Sequence, residues 1–326
     1  MTGNDMRDHG GNLDQATKAY GQGDWIDLST GINRRPWSVP AVSAAAWRNL
    51  PTSAAQAGLV ARAAASWGAN VGAAGVALGG AQAAIQLVPR LRPIARAAVL
   101  GPTYNEHAGC LAAEGWQVET VPDLAGLQGA DLAVIVNPNN PDGRQFPPET
   151  LLALVGQVGL LVVDESFGDV TPALSLLSHA GRAGLLVLRS FGKFYGLAGV
   201  RLGFAFGNAE DIAALARMSG PWPISGPAIE IGTNALDDHA WADAMRAQLA
   251  ADAARADALA LNAGWRLAGG SDLFRLYDTG NAKAAQDRLA RHKIWSRSFP
   301  WSDTLLRLGL PGPEAEWHRL ERALRP

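Results

Sequence analysis

Cysteine is almost absent. The chain of 326 residues holds one, Cys110, so no intrachain disulfide can form and no thiolate zinc site can be assembled. An excess of one charge is missing too: 28 Lys and Arg against 30 Asp and Glu leave a net −2 at pH 7. That balance argues against a nucleic acid or an anionic membrane as a partner held by bulk charge. Low-complexity tracts are lacking, with 37 Gly and 19 Pro in the whole chain, and no solenoid repeat is found. Met1–Gln15 is too polar for a signal peptide. Val71–Val88 carries no charge, but Gly and Ala dominate it and Gln82 and Gln86 interrupt it. It reads as a strand, a glycine turn and a helix start, not a membrane span. The expectation is a cytoplasmic protein with no membrane partner. What the chain does have is 48% hydrophobic and 18% charged residues, enough for a folded core, and a length that suits about two domains.

From about Val71 to Phe206 short apolar runs alternate with amphipathic stretches. The pattern predicts strands at Val76–Leu78, Ala97–Leu100, Leu132–Val136, Leu160–Val163, Leu185–Arg189 and Gly203–Phe206. They are rich in Val, Leu and Ile without polar alternation, as strands covered on both faces are. Helices fall between them, for example at Ala81–Leu91 and Asn105–Glu114. This is the signature of an α/β fold on a mostly parallel sheet. Beyond it, Asp237–Asn262 reads as one long Ala-rich helix. Short strands follow near Leu273–Tyr277, Ile294–Ser298 and Thr304–Leu308, with helices near Ala282–His292 and Pro313–Ala323. That suits a smaller α+β domain. The expected division puts 37–222 in a large domain, and 1–36 with 223–326 in a small one, broken at the Pro221–Pro227 turn. Trp25, Trp37 and Trp47 fit either core packing or an interface.

The segment from Ser190 through Lys193 to Arg201 follows an apolar strand. Ser190 and Lys193 therefore fall at a strand C-terminus, where α/β sheets place ligands. Phe191, Phe194 and Tyr195 surround the lysine; desolvation favours the neutral amine, a nucleophile toward a carbonyl. Taken alone, such a lysine is as readily a surface loop residue. Asp164 closes the run Leu160-Leu-Val-Val163, and an acid at a buried strand end needs a cationic partner. A pyridinium N–H is one, and the acid then keeps that nitrogen protonated so the ring can act as an electron sink. A cap on the next turn is the plainer use of such an acid. Asn137-Pro-Asn-Asn140-Pro-Asp-Gly143 makes a tight turn that aims amides at the sheet edge. Gly79-Gly80-Ala81-Gln82, between a strand and a helix, lets backbone N–H groups approach an anion. Pro102-Thr-Tyr104 places an aromatic ring after another strand, for a flat ligand or for core packing. Together these are the parts a pyridoxal 5'-phosphate site requires. No metal site is expected. Ser190-Phe-Gly-Lys193 also fits the Ser-x-x-Lys of some serine hydrolases, but their S-D-N and K-T-G motifs do not occur. A non-catalytic binding protein on the same fold is the remaining alternative, and the presence of both Lys193 and Asp164 speaks against it.

The set resembles the fold-type I pyridoxal-phosphate enzymes, the aspartate aminotransferase superfamily, over about Asp27 to Leu324. Within it the chain is similar to the branch that contains histidinol-phosphate aminotransferase and L-threonine-O-3-phosphate decarboxylase of cobalamin biosynthesis. His9-Gly-Gly-Asn12, Asp27-Leu-Ser-Thr-Gly-Ile-Asn33, Gly101-Pro-Thr-Tyr-Asn-Glu-His107 and Leu306-Arg307-Leu-Gly-Leu-Pro-Gly312 resemble the decarboxylase side of that branch. The resemblance implies a large domain on a seven-stranded, mostly parallel sheet with a small α+β domain. It implies that Lys193 forms a Schiff base with the cofactor and shuttles protons. Asp164 would pair with the pyridine nitrogen, Asn140 would bond the ring hydroxyl, and Tyr104 would stack on the ring. The Ala81 and Gln82 amides, Ser190 and Arg201 would hold the cofactor phosphate. Arg307 would clamp the substrate carboxylate, with Asn33 near the substrate. The substrate is then a small phosphorylated amino acid, and His9, Gly10, Gly11 and Arg297 are the candidates for its phosphate. For His9 a solvated N-terminal residue, and for Arg297 a solvent-facing strand position, are the plain alternatives. Decarboxylation of L-threonine O-3-phosphate to (R)-1-amino-2-propanol O-2-phosphate follows by resemblance, with an aminotransferase of the histidinol-phosphate type as the alternative. A homodimer is implied. Three positions depart from the pattern: Phe167 replaces a common Tyr, Leu50-Pro51 replaces Tyr-Pro, and Asn33-Arg34-Arg35-Pro36 replaces Asn-Pro.

Overall fold

The computed structural model describes residues 9–325; residues 1–8, part of the polar N-terminal stretch, lie outside them. The strands are β1 (Ile26–Asp27), β2 (Ala74–Leu78), β3 (Arg96–Leu100), β4 (Gln117–Val121), β5 (Leu132–Val136), β6 (Leu161–Asp164), β7 (Leu185–Ser190) and β8 (Gly203–Gly207). They continue with β9 (Arg266–Ser271), β10 (Phe274–Asp278), β11 (Ile294–Trp295), β12 (Arg297–Phe299) and β13 (Ser302–Gly309). The helices are α1 (Leu13–Tyr20), α2 (Ala44–Arg48), α3 (Ser53–Ser66), α4 (Ala81–Leu87), α5 (Asn105–Ala113), α6 (Pro148–Leu152) and α7 (Ala209–Ser219). After them come α8 (Gly226–Asp237), α9 (His239–Asn262), α10 (Ala282–Arg291) and α11 (Glu314–Leu324). Two compact units form among the described residues: 36–140 with 144–244, and 9–35 with 141–143 and 245–325.

The larger unit holds a seven-stranded sheet in the order β2-β8-β7-β6-β5-β3-β4. All neighbours are parallel except those of β8, which is antiparallel to both β2 and β7. Every residue of β5, β6 and β8 is buried, which is why these segments read as unbroken apolar runs. β4 has no such run. It lies at the sheet edge with Gln117, Glu119 and Thr120 exposed, and a charged, half-solvated edge strand gives no core signal. The helix expected at Ala81–Leu91 stops at Leu87 and tightens to a 3-10 turn over Val88–Leu91, because Pro89 lacks the N–H an α-helix needs. The Pro221–Pro227 turn is present, but the division of the two units falls later, at residues 244 and 245, because α8 packs on α2 and α3 within the larger unit.

The smaller unit holds a four-stranded antiparallel sheet, β12-β13-β10-β9, and the parallel pair β1 and β11. α10 buries Ala282, Ala285, Gln286, Leu289 and Ala290, one stripe at the helical period. Asn281 caps it by accepting from the Ala284 N–H. β9 was masked in the sequence by Gly269 and Gly270. Those glycines are needed for approach: a Cβ on Gly269 would stand 2.1 Å from the Asp142 carbonyl oxygen, and the Gly270 N–H donates to that same oxygen. Trp25 packs with Tyr20 and Trp295, and buried Trp37 donates to Asp238. Trp47 stands exposed.

Candidate active site

Because β8 alone runs against the rest, β2, β3, β5, β6 and β7 all end on one edge of the large sheet. The chain steps from β5 through β6 to β7 in one direction, while β3 and β4 lie on the other side of β5. Such a reversal opens a crevice beyond the strand ends. The residues after those ends are Gly80-Ala81-Gln82, Tyr104, Asn137–Asn140, Asp164 and Ser190–Lys193. The large unit thus brings together every sequence-derived candidate for the cofactor, with Arg201 arriving just before β8.

Asp164 ends β6 with 2% of its surface exposed. Its Oδ2 lies 2.9 Å from His107 Nε2, and its Oδ1 accepts from the Ser166 N–H and Oγ–H. Burial alone would raise its pKa, but the His107 and Ser166 bonds overcome that and hold the carboxyl below its ordinary value. A carboxylate offers about four lone-pair sites, so an ionised acceptor remains at the strand end. The Asn137–Asn140 turn is tied to its surroundings. The Asn137 N–H donates to the Asp164 carbonyl, Thr103 Oγ1 donates to Asn139 Oδ1, and Asn139 Nδ2 donates to the Pro102 carbonyl.

At the first turn of α4 the chain packs closely against Arg201 and β8. Gly80 has φ +83°, and a Cβ there would lie 2.8 Å from Arg201 Nη2. A Cβ on Gly203 would lie 2.3 Å from the Ala81 nitrogen. Arg201 itself adopts φ 54°, a conformation that a residue with a Cβ rarely takes and that clusters at ligand sites. Tyr104, half-buried, donates from its hydroxyl to Gln82 Oε1 at 3.1 Å. Burial first, then the charges of Glu106 and Asp164, push its phenol up to about 12. Lys193 Nζ lies 5.6 Å from the centre of the Phe167 ring, and Phe191, Phe194 and Tyr195 around it are buried. Phe167 is thus an apolar wall beside the amine, where a Tyr would bring a hydroxyl.

The smaller unit gathers the other candidates. Arg297 and Arg307 sit directly opposite each other on β12 and β13, a placement that puts both side chains on one face. Arg307 is 6% exposed and donates to the Ser29 carbonyl. Burial first, then the Arg297 charge, pull its guanidinium down to about 9. Opposed like charges are unfavourable in a sheet, and an anion held between them would relieve the repulsion. The His9–Gly11 segment docks nearby on Ser29. A Cβ on Gly10 would lie 2.3 Å from the Ser29 oxygen, Gly11 has φ +88°, and its N–H donates to Ser29 Oγ. Ser29 Oγ in turn donates to Asp27. His9, Gly10, Ser29, Gln286, Ser296 and Arg297 share one polar recess. Asn33 is buried, and its Oδ1 accepts from the Arg35 N–H, closing a local turn.

Sequence reasoning missed His107, Ser29 and Arg189. His107 stands three residues after Tyr104, in the first turn of α5, and their rings meet edge-on; that short spacing could have marked it. Arg189 had no signal beyond being a charge inside an apolar run.

The family model for aminotransferase class I and II matches residues 24–324. The chain is 44% identical to a threonine-phosphate decarboxylase of Pseudomonas aeruginosa, over 98% of this chain and 97% of that one. It is 41% identical to a threonine-phosphate decarboxylase of a Sinorhizobium species, over 97% of each. Among solved structures, a histidinol-phosphate aminotransferase of Sinorhizobium meliloti in complex with pyridoxal-5'-phosphate superposes with a TM-score of 0.84, at 23% identity. That match covers 95% of this chain and 92% of that one. With the strand-end geometry, these likenesses establish that the chain belongs to the class I and II aminotransferase family.

Proposed function

We propose that this chain is a pyridoxal-phosphate-dependent lyase that decarboxylates L-threonine O-3-phosphate to (R)-1-amino-2-propanol O-2-phosphate, a step of cobalamin biosynthesis. The observation that carries the substrate reading is the opposed pair Arg297 and Arg307 beside the docked His9–Gly11 segment. A buried and a half-buried guanidinium on one face suit a ligand with two anionic ends, a carboxylate and a phosphate. The reaction type is supported by the likeness to threonine-phosphate decarboxylases along nearly the whole chain.

The large unit fits the cofactor on its own chemistry. Asp164 is a buried carboxylate kept ionised, the partner a pyridinium N–H needs. Gly80 and Gly203 let the Arg201 guanidinium and the start of α4 pack closely together, which places a cation beside a helix N-terminus, a pairing suited to a phosphate. The cofactor, when bound, supplies an aldehyde for an amine and a ring that takes up the electron pair left by the departing carboxylate.

The chain's own residues do the rest. Lys193 Nζ would be the amine that holds the cofactor and would return a proton to the substrate Cα. Asp164 would keep the ring nitrogen protonated, and His107 and Ser166 hold Asp164 in place. Asn140 bonds the ring hydroxyl; Phe167 offers no second hydroxyl there. Tyr104 would stack on the ring, and Ser190, Arg201 and the Ala81 and Gln82 amides would hold the cofactor phosphate. Arg307 grips the substrate carboxylate in a bidentate pair, which lysine could not reproduce. Arg297, His9, Gly10 and Gly11 bind the substrate phosphate, and Asn33 shapes the turn beside them. The active form is a cytoplasmic homodimer; Trp47, Leu50 and Trp222, exposed on the large unit, suit burial at its interface. Sedimentation of the active enzyme as a monomer overturns that part.

The function is tested by supplying holoenzyme with L-threonine O-3-phosphate and no keto acid. Repeated turnovers with release of CO₂ are expected. A strict requirement for a keto-acid acceptor would establish the aminotransferase reading instead.

A further inference from the structure

A chain of three polar side chains runs behind Tyr104. Gln82, at the second position of α4, accepts from the Tyr104 hydroxyl through Oε1 and donates through Nε2 to Glu106 Oε2, at 3.1 and 2.7 Å. Glu106 lies in the first turn of α5 and is 9% exposed. Cys110 Sγ, one turn on, points its weak donor at the same oxygen. Glu106 Oε2 takes the Nε2 end of the Gln82 amide, and that contact fixes which end of the amide faces it. The amide carbonyl is thereby turned to Tyr104, and the phenol must donate. The ring has a second restraint, an edge contact with His107 at 6.2 Å and 84°. Tyr104 is thus held at its hydroxyl and along its side, in one plane.

We propose that Glu106 is a positioning residue: acting through Gln82, it sets the direction of the Tyr104 hydroxyl bond and so the plane of the ring that stacks on the cofactor. The proposal rests on the reading of Tyr104 as the stacking residue. It assigns the Gln82 side chain a task apart from its backbone amide, which serves the phosphate. It also makes the two helix starts, α4 and α5, one cradle tied by a single buried carboxylate. With glutamine at 106 the constraint is gone: the Gln82 amide can turn its NH₂ to the phenol oxygen, and the Tyr104 hydroxyl bond is lost or reversed.

The test is a double-mutant cycle on holoenzyme, read by cofactor dissociation constant and by the visible circular dichroism of the bound cofactor. Glu106→Gln is expected to weaken cofactor retention roughly fivefold, the size of one net hydrogen bond, and to change the dichroic band. In a Tyr104→Phe background the same substitution should change neither, because the hydroxyl it acts on is absent. Gln82→Leu cuts the chain at its centre and should reproduce the Glu106→Gln result; it carries the same comparison if Glu106→Gln does not fold. Equal effects of Glu106→Gln with and without the Tyr104 hydroxyl overturn the proposal, as does no effect in the parent. If Tyr104→Ala leaves affinity and dichroism as they were, the stacking reading itself fails, and that result is distinct from the other two.

Discussion

Asp164 and Glu165 are neighbours in the chain, both carboxylates and both almost wholly buried, at 2% and 1% exposure. Asp164 meets His107 and Ser166. Glu165 accepts from Ser175 Oγ, the Leu176 N–H and Arg189 Nη1, while Arg189 Nη2 reaches Asp169 at 2.7 Å. The Arg189 guanidinium also lies 4.5 Å over the Trp67 ring, whose Nε1 donates to Asp169. In the first group a carboxyl is held ionised. In the second, two carboxylates compete for one guanidinium in a dry place, and burial, outweighing Arg189, Ser175 and Leu176, raises the Glu165 pKa. The two side chains part at the end of β6, and under the proposed function one acid would face the cofactor while the next is sealed among Ser175, Leu176 and Arg189. Burial of an acid therefore does not by itself mark function; the acceptor capacity left over does.

The comparison breaks most sharply under substitution. Asp164→Asn should lower kcat per folded molecule on the order of 10²-fold or more, measured by CO₂ release with the folded fraction checked by calorimetry. Next in size is Arg189→Met, which leaves two carboxylates buried without their cation. It should cost about 3–5 kcal/mol of stability in chemical denaturation. Glu165→Gln should cost less, about 1–3 kcal/mol, and should leave activity per folded molecule intact. A loss of kcat there as large as for Asp164→Asn would erase the distinction.

The smallest effect is in pH dependence. Asp164 has a native pKa below its unfolded value, so its contribution to stability is present above the unfolded range. That contribution is lost as pH falls through the native value. Glu165 is the reverse: its native pKa lies above the ordinary 4.5. Its contribution is full below that value and is lost as pH rises through the native one. The stability gap between the parent and Glu165→Gln should therefore narrow from weakly acidic to neutral pH. A gap that widens with pH would reverse the assignment.

The central strands and the strand-end residues were legible because parallel strands buried on both faces leave continuous apolar runs, and the ligand-bearing residues punctuate them. Asp164, Lys193 and the Gly79–Gln82 turn could be placed on those grounds. β4 was not legible because half of it faces solvent, and β9 was not because Gly269 and Gly270 serve close approach rather than strand propensity. His107, Ser29 and the opposition of Arg297 to Arg307 depend on pairing across long stretches of chain, which no local pattern records. Phe167 was visible as a departure from the family, but only the structure shows it walling the Lys193 amine.

The other lysines give the account its most direct test. Besides Lys193 the chain has only Lys18, Lys283 and Lys293. Lys283 pairs with Asp287, and Lys293 donates to the Tyr20 carbonyl. Holoenzyme reduced with borohydride and mapped by peptide mass should carry one reduced cofactor per chain, on Lys193. Label on a different lysine, or a Lys193 peptide recovered unmodified, would contradict the assignment of the active site.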